Sequence, residues 1–148
     1  MPFRFSLAAV LRLRQSLENR ERLHLETLHA RRAALLREAQ QTREASLRLQ
    51  RSLREHLQQA TAAGAELKFF ATVGRGFDER RQQLQGALQQ VEQQVAEQAR
   101  RYAEQRQKRE VLESLRESRL AEYRVQQQRR EQAAIDELHL LRRHRRQA

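Results

Sequence analysis

Residues 61–77, TAAGAELKFFATVGRGF, decide how this 148-residue chain folds. The stretch holds three of the four glycines and three of the five phenylalanines, and long polar, helix-prone segments run away from it on both sides. Glu66 to Val73 can form a short helix, while Gly74-Arg75-Gly76 permits a bend or a positive φ. A break between two helical arms predicts an all-α fold, a long antiparallel two-helix coiled-coil hairpin forming one domain over 1–148. The expected division is a helix over 6–62, a tip over 63–77, a helix over 78–141 and a basic tail over 142–148.

On the incoming arm, Ser6 reads as the N-cap and Leu7 as the first helical residue. An apolar edge follows through Val10, Leu11, Leu17, Leu25, Leu28, Leu35 and Ala39, then Leu49, Leu53, Leu57 and Ala60. Three- and four-residue steps are what a coiled-coil seam requires. Arg14, Glu21, Arg32 and Thr42 interrupt it, with stems long enough in most cases to lie along the seam and carry charge out to water. Glu18 with Arg22 and Glu44 with Arg48 add i,i+4 support. Roughly 55 residues of helix extend about 80 Å.

Helix is expected to resume near Asp78, with a seam through Leu84, Leu88, Val91, Val95, Ala99 and Tyr102. Val111, Leu112, Leu115, Leu120, Tyr123 and Val125 continue it, and Ile135, Leu138 and Leu141 renew it near the end. A turn at residues 68–72 would make the numbers of facing partners sum to about 140. Leu7 would then lie opposite Ala133 to Ile135, Leu49 opposite Val91, and the two termini would meet at one end.

Composition agrees with long helices rather than a layered core: 39% hydrophobic, 33% charged, one Pro, no Trp and no Cys. High charge and few aromatics also mark unfolded chains, but the regular leucine spacing favours helix. No apolar run is long enough to span a membrane. The opening MPFRFSLAAVLRLRQ is broken by Arg12 and Arg14 too early for a signal peptide, which reads as mature cytoplasmic sequence. The net charge of +11 favours acidic partners without naming their class.

Chemistry of a catalytic kind has no foothold in this pattern. A hairpin offers no concave site to hold groups in fixed geometry. His24, His29, His56, His139 and His144 are scattered, and the Gly-Arg-Gly triplet lacks the strand, the remaining glycines and the Lys-Ser/Thr pair of a phosphate loop. The reading is a non-enzyme with no cofactor, no metal site and no small-molecule substrate. Three surfaces could carry an interaction. The Phe-rich tip is a docking knob or merely a sealed turn. The joined ends, with Arg12, Arg14, Arg142 and Arg143, fit an acidic channel or are ordinary helix ends. The basic arms have no groove-reading module or stacking platform, so nucleic acid is the least favoured partner.

Three segments together resemble the flagellar export protein FliJ family. FRFSLAAVLRLRQSLE at 3–18 is similar to that family's start, RYAEQRQKREVLESLRESRLAEY at 101–123 to its second helix, and EQAAIDELHLLRR at 131–143 to its closing segment. The resemblance implies a stalk-like antiparallel coiled coil in the flagellar type III export apparatus, cytoplasmic and peripherally associated with the inner-membrane export machinery. It implies as partners a hexameric export ATPase, a membrane export gate and export chaperones. Leu7, Leu11, Arg12, Arg14, Ile135, Leu138, Arg142 and Arg143 would mark the ATPase-facing ends, with Val10, Leu13 and Leu141 beside them. Phe69, Phe70, Val73 and Phe77 would form the gate-docking tip, Phe70 foremost. The equivalent stalk of a virulence secretion system and a purely structural coiled-coil rod are the alternatives.

Overall fold

The computed structural model describes residues 1–59 and 63–147; the expected end of the first arm at Ala60 to residue 62 and the final residue of the tail lie outside them. Two helices carry nearly everything: α1, Ala8–Gln58, and α2, Gly64–Gln147, with no strand among the described residues. The fold is an antiparallel α-hairpin. It packs as two compact units, Met1–Asn19 with Ala103–Ala148 and Arg20–Tyr102.

The helix bounds follow from local hydrogen bonding. The Leu7 carbonyl accepts from the Leu11 amide at 2.9 Å, so α1 opens one residue later than a Ser6 cap would set it. The Ser6 hydroxyl instead accepts from Arg119 at 3.1 Å. At the start of α2 the Ala63 carbonyl accepts from Glu66 and Leu67 at 3.0 and 3.3 Å, and Glu66 sits in the first turn, where its charge favours the helix dipole. His144, Arg145 and Arg146 suit the opposite pole in the last turn.

In the unit Arg20–Tyr102, the half-buried positions of α1 are spaced at three and four residues through Glu21, Leu25, Leu28, Arg32, Leu35, Ala39, Thr42, Ser46, Leu49, Leu53 and His56. Opposite them α2 presents Phe70, Phe77, Leu84, Leu88, Val91, Val95, Gln98 and Tyr102. Val91 is 1% exposed and Leu84 2%, the tightest packing of the unit. In the other unit Leu7, just before α1, and Leu11 and Glu18 on α1 lie inward, with Gln105, Arg109, Leu112, Leu120 and Tyr123 on α2. A two-helix fold has a single seam, which is why most of these side chains are half-buried. Arg14, Glu21, Arg32 and Thr42 are half-buried in it, as their spacing suggests.

Three expectations are corrected. The helices run Ala8–Gln58 and Gly64–Gln147 rather than 6–62 and 78–141. Gly74 and Gly76 lie inside α2, and no described residue has positive φ, so Gly-Arg-Gly makes no bend. The reason is that Phe70, Val73 and Phe77 keep seam spacing, and burying them outweighs about 0.5–1 kcal/mol for each helical glycine. The register moves with the turn. Facing pairs such as Glu38 with Arg80, Glu18 with Arg109 and Phe3 with Tyr123 have numbers summing to between 118 and 127, not 140. Gly74 accordingly lies beside Leu49, and the chain's start reaches Tyr123, not Ile135.

Candidate docking surfaces

The early register leaves the end of α2 without a partner helix. Phe3 packs on Tyr123 with ring centroids 5.6 Å apart, and the Tyr123 hydroxyl donates to the Met1 carbonyl. Every residue from 128 to 147 is exposed. Ile135, 48% exposed, lies on one face with Leu138 and Leu141, and Leu140 stands on another face, also uncovered. After Glu137 the only charged side chains of this segment are Arg142, Arg143, Arg145 and Arg146. An apolar stripe leading into an acid-free basic end can bind an acidic surface that also has an apolar cleft.

The expected end surface therefore divides. Leu11 is buried and Leu7 and Arg14 half-buried, as packing residues; Arg12 is exposed, on a groove shared with Phe3, Phe5 and Arg116. Ile135 lies twelve residues beyond Tyr123, about 18 Å along the helix. The structure does not bring Leu7, Leu11, Arg12 and Arg14 together with Ile135, Leu138, Arg142 and Arg143. Sequence reasoning also passed over Leu140, whose signal is that it breaks the seam spacing beside Leu141.

At the other surface Phe69, Phe70, Val73 and Phe77 all fall in the opening turns of α2. Phe70 is half-buried, 5.3 Å from the His56 ring and 6.0 Å from Phe69, both edge-on. The His56 ring is itself within hydrogen-bonding reach of the Ser52 carbonyl at 2.9 Å. Val73 and Phe77 are half-buried, and Phe77 lines a groove with Thr42, Ser46 and Leu84. Phe69 is 63% exposed and is the outward side chain that Phe70 supports; Leu67, also exposed, stands on the opposite side of α2.

Charge inside the seam is paired across it. Glu18, read from the sequence as a surface partner of Arg22, accepts from Arg109 Nε, and Arg109 Nη1 donates to Glu113 at 2.5 Å. The Glu18 hydrogen bond and the charges of Glu18, Glu113 and Glu110 raise the Arg109 pKa, against a lowering from burial. In the other unit the Gln98 amide donates to the Glu21 carbonyl at 3.1 Å and to its carboxylate. Arg32 Nε and Gln105 Oε1 are buried without a hydrogen-bond partner, the cost of polar side chains in a single seam.

Among the described residues no group of three His, Asp or Glu could hold a metal ion, and no helix is long and apolar enough to cross a membrane. Paired helices that leave apolar side chains uncovered define a coiled-coil protein suited to contact with partners. The chain matches the family described as Flagellar FliJ protein over residues 3–148 and belongs to it. The family's general role is that of a stalk and chaperone component of flagellar type III export. No curated protein and no solved structure matches the chain.

Proposed function

We propose that this chain, acting as one coiled-coil domain over 1–148, engages the flagellar export ATPase through the uncovered end of α2 and promotes assembly of its hexameric ring. The observation that carries this reading is the exposed stretch from residue 128 to 147, with Ile135, Leu138, Leu140 and Leu141 leading into four arginines. Arg12 contributes from the side, and Leu7, Leu11 and Arg14 hold the seam beneath it. The chain supplies no catalytic group; it raises hydrolysis by binding the assembled ring in preference to free subunits. The second contact is with the membrane export gate, through Phe69, with Phe70, Val73 and Phe77 fixing the turns that present it. Export chaperones are the third class of partner, and the location is cytoplasmic at the inner-membrane apparatus; membership of the family supports both readings.

The test is to mix the folded chain with its cognate export ATPase and follow ring assembly and ATP hydrolysis. Both should rise. No complex and no change in hydrolysis at micromolar concentrations would remove the stalk assignment. Gate binding, measured separately, should survive loss of the arginines at 142–146 and weaken when Phe69 is replaced.

A further inference from the structure

We propose that the Glu18–Arg109 ion pair is a register key. It selects one of several seam alignments that the leucine spacing permits, and so decides how much of α2 stands clear of α1. This goes beyond the docking roles above and does not depend on them.

The need for a key comes from the repeat itself. Both arms place inward residues at alternating three- and four-residue steps, so sliding one arm by seven residues returns similar residues to the seam. An alignment with partner numbers near 140 satisfies the same leucine spacing. It would set Ile135 opposite Phe5 and cover α2 as far as about residue 139. Apolar packing alone does not distinguish these alignments sharply.

The charged residues do. The Glu18 and Arg109 side chains are only 14% and 20% exposed, so each has given up most of its water; Arg109 keeps Glu113 on its own helix in any alignment, while Glu18 depends on Arg109 alone across the seam. A two-heptad slide would set Glu18 against Tyr123 and Arg109 against Arg32. A slide of one heptad would set Arg109 against Leu11 in one direction or Leu25 in the other. In each case a desolvated guanidinium loses its cross-seam carboxylate. Gln98 on Glu21 adds a second, uncharged constraint of the same kind. A polar pair at an otherwise apolar seam specifies alignment at some cost in stability.

The chain has no cysteine, so labels can be placed freely. Spin labels on Ser16→Cys and Gln107→Cys, both exposed, report α1 against α2 by pulsed dipolar spectroscopy. The labelled parent should give one narrow distance. Glu18→Leu with Arg109→Leu should stay helical, melt no lower, and add populations set off by an axial step of about 10 Å per heptad. Glu18→Gln, which keeps shape and removes only charge, should add the same populations and carries the test if the double variant unfolds. One unchanged distance in Glu18→Gln, or in a folded double variant, would overturn the proposal and assign the register to the turn. No ATPase is present, so the outcome is separate from that of the docking test.

Discussion

Phe69 and Phe70 are adjacent in sequence but differ in environment, and the difference separates binding from stability. Phe70 rests on the His56 ring, whereas Phe69 is mostly in water. Phe69→Ala should change unfolding free energy by no more than about 0.5 kcal/mol and weaken gate binding. Phe70→Ala should cost about 1–3 kcal/mol in urea unfolding, with any loss of binding following from the disturbed turn. The same contrast holds for leucines inside and outside the seam. Leu84→Ala removes a buried side chain and should cost at least about 2 kcal/mol, while exposed Leu36→Ala should be close to neutral by circular dichroism melts. For Arg109, a raised pKa means that its contribution is complete below the ordinary arginine pKa and is lost as pH rises from there through the raised one. Raising pH from 7 to 10 should therefore leave the Arg109 side of the pair intact. Its Nε–H signal in NMR should persist where exposed guanidinium signals exchange away.

At the level of the helix, α2 carries glycine where a bend was expected and tolerates it. A Cβ at Gly76 or Gly86 would meet nothing within 4 Å, and one at Gly74 would meet only Leu49 Cδ2 at 3.9 Å. Gly76→Ala and Gly86→Ala should each stabilise the hairpin by about 0.5–1 kcal/mol, additively in thermal melts because the sites are far apart on the helix. A fall in stability for Gly76→Ala would show that the triplet needs freedom the helix does not reveal. These glycines also explain what was legible in the sequence. Two antiparallel helices follow from leucine spacing, which is a local property, and the family resemblance survives because it rests on order along the chain. Register is not local. Phe70, Val73 and Phe77 look like an insert when Gly74 and Gly76 are weighted as breakers, and like seam residues once α2 starts at Gly64. That choice moved the turn, and with it the residues opposite Leu7. Glu18 and Arg109 stand ninety-one positions apart, so their pairing became readable only after the alignment was known.

For the molecule as a whole, the division of labour turns on whether the exposed end of α2 contributes to folding or only to docking. Residues 128–147 are all exposed, beyond the contact between Met1 and Tyr123. Ending the chain after Gln127 should therefore change the unfolding free energy of the remainder by less than about 0.5 kcal/mol and abolish activation of the export ATPase. Leu138→Asp with Leu141→Asp in the full chain should have the same effect on activation while leaving the basic residues in place. If Arg142, Arg143, Arg145 and Arg146 act mainly by attraction, activation should fall steeply between 50 and 300 mM salt, as the Debye length drops below about 10 Å. The apolar stripe should make the residual activation insensitive to further salt. A truncated chain that still activates the ATPase would shift the docking surface to Arg12 and the groove it shares with Phe3 and Phe5. A truncated chain that unfolds would show that the last turns of α2 stabilise the unit they extend.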